Sequence, residues 1–390
     1  MKRAVNLVLI AIIVMAVLVA CAEDTGGGFA SYDFTNITNE APVNFRDFIT
    51  DFVLLEYAVM VLAAQEDRLW ATTPSPGEHS IQANLRVLLK SYDHGDSWEE
   101  VYVFPNPIDT VYCDAFGNIF VATTLDRWGS EGTAELFRSV DGGNTFHKVL
   151  DIASGAPYHW SIASQNGTMF LSEYGYKGES DNARRIYRSL DFGESWEVVY
   201  EPEPMHNYHN HKILIADEVV YQSVGDWPHN KIIRSVDRGE TWELAVDGIH
   251  PTGAVVFDTH ILWGLDSGGY PNSGVARYSR ISGEIESFWH PPYPFEGSSY
   301  SMAMANGIVY AIFLSYSGDS HPASIFFSRD EGETWEMLGY IDKYPQEGIG
   351  LWTLTLDDTF GYIDIQTPVQ LEDGERMSRY RGTLRFSLLQ

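Results

Sequence analysis

The sequence predicts an all-β fold, a seven-bladed β-propeller, and three observations predict it. A stretch reading Ser-x-Asp-x-Gly-x-(Ser/Thr)-(Trp/Phe) keeps returning, its returns are nearly evenly spaced, and short apolar strands broken by Gly-rich turns fill the intervals. The copies begin at Ser91, Ser139, Ser189, Ser235 and Ser328, with gaps of 48, 50, 46 and 93 residues. The long gap is about two periods and holds a worn copy that keeps Ser279 and Gly283 but has Ile281 in place of the Asp. A fixed period in this range marks a repeat architecture.

Taken in order, residues 1–20 read as a signal peptide. Lys2 and Arg3 precede an apolar run from Leu7 to Val19, and Leu18-Val19-Ala20-Cys21 looks like a bacterial lipobox, which would leave Cys21 as the lipidated N-terminus. The run is short for a bilayer span. Residues 21–42, with Gly26, Gly27 and Gly28, read as a flexible tether. The remainder, 43–390, reads as one propeller domain. In its second repeat Ile108–Asp114, Asn118–Thr124, Ala134–Val140 and Phe146–Asp151 are the expected strands. The blades fall near 57–105, 106–153, 154–204, 205–248, 249–291 and 292–343, and a partial blade runs from 344 to 390. That last blade has three strands, Trp352–Asp357, Phe360–Ile365 and Arg379–Leu388, and a segment within 43–56 is expected to supply the fourth and remove the open sheet edges. Six blades is the alternative, if the final segment packs irregularly.

Each box has a local chemistry. The Asp accepts hydrogen bonds from its own turn, the Gly takes positive φ, and the Trp or Phe starts the next strand and packs between sheets. These residues read as hairpin staples. On them the chain resembles the Asp-box, or BNR-repeat, sialidase-like propellers, over nearly all of its length after residue 45. That resemblance implies the fold. It leaves function open, because such propellers include hydrolases, lyases, binding proteins and assembly factors. Sialidases carry an early Arg-Ile-Pro. Here the early stretch is Asn44-Phe45-Arg46-Asp47-Phe48, and Arg46, Arg127 and Arg185 are scattered nominees for an arginine triad. The departure argues against true sialidase activity.

The formal net charge of −29 argues against nucleic acid as a partner. With Cys21 lipidated, Cys113 is the second of 2 cysteines, so no intramolecular disulfide forms and Cys113 reads as a packed thiol. The expected partners are a glycan or polysaccharide, or a surface protein, with membrane contact through the lipid anchor alone, and the chain is expected to be an exported, membrane-anchored monomer.

Blade connectivity puts the boxes and the turns between first and second strands on one face. The longer, individual loops lie on the other, where function is expected. Of 12 histidines, nine (79, 159, 206, 209, 211, 229, 250, 290 and 321) fall in or beside loops of this second face, and His94, His147 and His260 do not. The third and fourth blades are densest. In a glycan site Trp160, Tyr174 and Trp227 would stack on sugars, and Glu173 and Asp226 are the candidate carboxylates. By analogy with propeller lyases that cleave uronate polymers, His159, His209 or His211 would be the base, Tyr174 the acid, and Arg184 or Arg185 the clamp on the substrate carboxylate. No cofactor motif is found, but His209-x-His211 with His159 or Asp226 admits a divalent metal, since residues two apart on a strand share a face. A third reading is a hydrogen-bonded plug of the channel. Glycan binding or cleavage near the axis is the favoured function, and a non-enzymatic protein-binding or assembly propeller is the alternative.

Overall fold

In the computed structural model the described residues are 45–56, 59–73, 86–125, 133–152, 161–174, 184–203, 209–225, 229–266, 273–314, 322–342, 350–370 and 376–390. The lipobox, the tether, His79, Arg127, His159, Trp160, His206, Asp226, Trp227 and His321 lie outside them. The described residues are all-β and form seven antiparallel sheets arranged as a seven-bladed propeller.

Blade 1 consists of Met60–Gln65, Arg68–Thr72, Val87–Ser91 and Glu99–Val103. Blades 2 to 6 repeat this plan, with inner strands Ile108–Cys113, Ser161–Gln165, His209–Ala216, Pro251–Val256 and Met302–Ala305. Blade 7 has Gly350–Leu356 innermost, then Phe360–Gln370 and Arg376–Ser387. Phe52–Leu54 pairs with Arg376–Ser387 as its fourth and outermost strand, so the N-terminal segment closes the ring as the sequence predicts. Phe45–Arg46 adds a fifth strand to blade 6, which the sequence reading did not foresee.

The core is not one mass but a set of seams between neighbouring blades. Each of the seven apolar clusters draws on two adjacent blades, for example Trp70, Leu88 and Phe104 of blade 1 with Ile119, Val121 and Phe146 of blade 2. A blade therefore buries both faces of its middle strands, which explains why His260–Leu265 and Ile308–Phe313 are buried at every position. The outermost strands are instead exposed or half-buried along most of their length, as Glu99–Val103 is. Full burial of a ring the size of Trp70, Trp263 or Phe386 contributes about 2–3 kcal/mol. Cys113 is half-buried beside the first of these seams, and burial pushes its thiol up to about 12.

The repeated turns are built alike. In the first, Ser91 Oγ donates to Asp93 Oδ1 at 2.8 Å and accepts from the Gly95 N–H at 2.9 Å. Asp93 then accepts from the Ser97 N–H at 2.8 Å and from its hydroxyl at 2.5 Å. Trp98 Nε1 donates to the Gly95 carbonyl at 3.1 Å. The same Ser–Asp–Gly bonds recur around Asp141, Asp191, Asp237 and Asp330. In the worn copy the turn survives on a backbone bond, Gly283 N–H to the Ser279 carbonyl at 2.9 Å, and Ile281 points into solvent.

These turns sit beside the hairpins that join first and second strands. The Phe192 N–H donates to the Gly167 carbonyl at 3.1 Å, and Arg238 shares a small surface cleft with Asn166 and Glu218. His94 and His260 belong to this face. His94 pairs with Asp357 at 2.8 Å across the closure between blades 1 and 7, and His260 lies 3.1 Å from the carbonyl of Glu331 in the blade 6 turn.

Candidate functional site

The inner strand of blade 4 begins His209-Asn210-His211-Lys212 on the face opposite the repeated turns. Alternation along a strand sends His209 and His211 one way and Asn210 the other. Asn210 anchors the strand: its N–H donates to the Tyr174 carbonyl at 3.0 Å and its Nδ2 to the Arg184 carbonyl at 2.9 Å. A bulge follows, with Asn210 paired to Val224 and Ile213 to Gln222, so that His211 and Lys212 together oppose Ser223. The Ser223 hydroxyl ties the bulge by accepting from the Lys212 N–H at 2.8 Å and donating to its carbonyl at 3.3 Å. A bulge re-aims the side chains beside it and is a recurrent device near functional sites. Burial also lowers the Lys212 ammonium below its ordinary value.

Three blades then meet. The Tyr174 ring from blade 3 lies 4.4 Å from the His209 ring and 5.3 Å from that of His211. The His209 and His211 rings are 4.5 Å apart. His250, immediately before the inner strand of blade 5, brings its Nε2 to 2.7 Å from His211 Nε2. His209 and His250 are buried and His211 is half-buried. Behind His250, Nδ1 lies 4.0 Å from Asp266 Oδ2. Asp266 is held from blade 6, where Ser298 Oγ donates to its Oδ1 at 2.8 Å and the Tyr300 hydroxyl donates to its Oδ2.

Gly225 makes the convergence possible. It pairs with His209 across the hairpin, and a Cβ there would fall 2.1 Å from His250 Nε2 and 2.5 Å from His211 Nε2.

Of the residues singled out in the sequence, Tyr174, His209 and His211 are therefore brought together, and Arg184 is tied to them through Asn210. Glu173 is fully buried and turned to other work. It accepts from the Tyr187 hydroxyl at 2.7 Å and the Arg185 N–H at 3.0 Å, and burial pushes its carboxyl up to about 7. Arg185 Nε is paired with Glu201 at 2.8 Å. His250 was counted among the second-face histidines but given no role, and Asp266, Ser298, Tyr300 and Gly225 were not singled out. A positional signal was available. The ends of the inner hairpins correspond from blade to blade, His209 opposite Gly225 and Pro251 opposite Leu265, which sets His250 beside Asp266.

Chemically the cluster offers three imidazoles and a phenol at one place. Imidazole is the side chain whose unperturbed charge change falls nearest neutral pH, and it serves as acid, base or metal ligand.

No protein-family model matches the chain. It is similar to a xyloglucanase of a Paenibacillus species, 23% identical over 352 residues, which is 84% of this chain but only 30% of that enzyme. Two solved structures share the fold. One is YCF48 bound to a D1 peptide, at TM-score 0.55 and 13% identity, covering 89% of this chain and 98% of that one. The other is the GH74 xyloglucanase of Xanthomonas campestris, at TM-score 0.54 and 13% identity, covering 87% of this chain and 56% of that one.

Proposed function

We propose that this protein acts on glycans at the end of the ring where Tyr174, His209, His211 and His250 converge. The observation that carries the reading is this meeting of four proton-carrying side chains from three blades, which the propeller scaffold does not itself require. The sequence likeness to a xyloglucanase supports the substrate class. The acids at hand, Glu173 and Asp266, are each tied into separate hydrogen-bond sets. Among the described residues, paired carboxylates flanking an open cleft, the arrangement of ordinary glycosidases, are thus not the pattern at this cluster.

Imidazole and phenol suit an elimination on a uronate-containing polymer. His211 or His250 takes the C5 proton, the C4–O bond breaks as the C4–C5 double bond forms, and Tyr174 gives a proton to the leaving oxygen. Arg184 is the nominated cation for the substrate carboxylate. In the same reading the chain is exported and lipid-anchored at Cys21, and its repeated turns mark kinship with the Asp-box propellers. Lipid labelling that disappears in Cys21→Ser tests the anchor.

The test of function is a panel of neutral, sialylated and uronate polysaccharides, xyloglucan included, with reducing ends and the ultraviolet absorbance of unsaturated uronate followed together. New ends with that absorbance support elimination. New ends without it support hydrolysis and remove the roles given to His211, His250 and Tyr174. One observation favours a second reading, a protein-binding propeller: the fold shared with the peptide-bound YCF48 spans 98% of that chain. Inactivity and no binding across the panel would transfer the assignment to that reading.

A further inference from the structure

We infer that His209, His211 and His250 form a three-imidazole site for a divalent transition-metal ion, of which zinc is the first choice. One ring nitrogen from each of the three lies within 4.8 Å of the others. The pair closest together, His211 Nε2 and His250 Nε2, stands at 2.7 Å. A tetrahedral zinc bound at about 2.0–2.1 Å from each would separate them to about 3.3 Å, an opening of about 0.6 Å that small side-chain rotations supply. An all-nitrogen set favours zinc, copper or nickel over magnesium and calcium, which prefer oxygen.

Three further features fit a built site. Two ligands come from one strand at i and i+2, and the third stands immediately before the inner strand of the neighbouring blade. Asp266 stands behind His250, 4.0 Å from its Nδ1, with Ser298 and Tyr300 holding the carboxylate. At 4.0 Å this is an electrostatic contact and not a hydrogen bond, and it sets an acid on the side of the ring away from Nε2, where the acidic partner of a ligating imidazole stands. Gly225 is the third feature. Its φ is not in the left-handed region, so the backbone does not call for glycine, whereas the two converging Nε2 atoms leave no room for a Cβ. The other grouping of this kind among the described residues, His94 with Asp357 and Asp358, is accounted for: Asp357 accepts from His94, the Tyr362 hydroxyl and the Thr359 and Phe360 N–H groups. The inference shares its residues with the glycan reading but does not depend on it, and an ion held by His211 and His250 would leave neither ring as the base of that reading. With an ion in place Tyr174 is left as the proton-carrying side chain of the cluster.

The test uses the purified full chain, stripped with a chelator and titrated with zinc chloride by calorimetry, and with cobalt chloride by visible absorption. One zinc per chain with a micromolar or tighter Kd is expected, with the strong cobalt absorption of a four-coordinate site. His211→Ala and His250→Ala should weaken zinc by more than about 100-fold, and Asp266→Asn by about 10- to 100-fold. Gly225→Ala should also abolish binding, and His94→Ala should leave it unchanged. Circular dichroism of each variant separates lost binding from lost fold, and His250→Gln replaces any alanine variant that does not fold. Absence of one-to-one binding by the wild type, or wild-type affinity in folded His211 and His250 variants, overturns the inference. Zinc uptake without action on any glycan leaves it standing and removes the glycan reading. Glycan cleavage that survives chelation, with no zinc uptake, does the reverse.

Discussion

Gly193 is the most informative place to perturb the scaffold. It sits in the blade 3 turn with φ at +81°, and an added Cβ would fall 2.3 Å from Phe120 Cε1 and 2.6 Å from Cζ. Phe120 is fully buried in the seam between blades 2 and 3, so it has little room to retreat. The relation repeats around the ring: Gly143 meets Trp70 at 2.8 Å, Gly239 meets Phe170 at 2.8 Å and Gly332 meets Leu262 at 2.7 Å. These glycines thus serve the turn and the seam together. Gly193→Ala should cost about 1–2 kcal/mol for the left-handed backbone and a further ~1–3 kcal/mol for overpacking. Gly117→Ala is the control, because φ there is +85° and nothing lies within 4 Å of the added Cβ, leaving the backbone cost alone. Denaturant unfolding followed by circular dichroism gives both values, compared at equal m. Equal destabilisation by the two substitutions would refute the claim that the turn glycines are also packing residues.

Other consequences concern pH. Asp141 and Asp237 are held down to about 2 chiefly by the hydroxyls of Thr145 and Thr241, and Asp191 reaches about 2 because its bonds from Ser195 and Ser189 outweigh its desolvation. Their folded values lie below the ordinary ~3.9, so the stability they contribute is present above about pH 4 and lost as pH falls through 2. Melting temperature should fall over that window, and less so in an Asp141→Asn, Asp191→Asn, Asp237→Asn triple variant; equal falls would contradict this. Glu173 runs the opposite way. Burial raises it to about 7, so its contribution is complete below about pH 4 and is lost as pH rises through 7. Glu173→Gln should flatten the decline in melting temperature between pH 5 and 8, and an unchanged slope would show that the buried acid is not its source.

Much of the fold was legible because period and turn chemistry agree. The expected strands of the second repeat lie within one residue of Ile108–Cys113, Ile119–Leu125, Thr133–Ser139 and His147–Ile152, since each boundary is marked by a turn or a box. Closure by the N-terminal segment was legible because the last blade lacked a strand. The pairing of Phe45–Arg46 with blade 6 was not, because two residues carry no alternation. The last hairpin also runs longer than expected, to Gln370 and from Arg376, through residues with no apolar pattern. At the site, His209 and His211 declare themselves by spacing on one strand. His250 and Asp266 reach them across a seam, and proximity between blades leaves no mark in local sequence. Glu173 shows the converse: its neighbours in the chain suggested a site, but its side chain turns to Tyr187.

The central claim is that function resides at the Tyr174–His209–His211–His250 cluster and not at the repeated turns. The most direct measurement compares His209→Ala/His211→Ala with Asp191→Ala on whichever glycan the wild type cleaves or binds, each protein first checked for fold. The expected result is loss of activity or binding by at least about 100-fold in the double variant, in line with the 10²–10⁴-fold contribution of a positioned acid or base, with wild-type activity and a lowered melting temperature in Asp191→Ala. Full activity in the double variant, or activity lost from a fully folded Asp191→Ala protein, would contradict it.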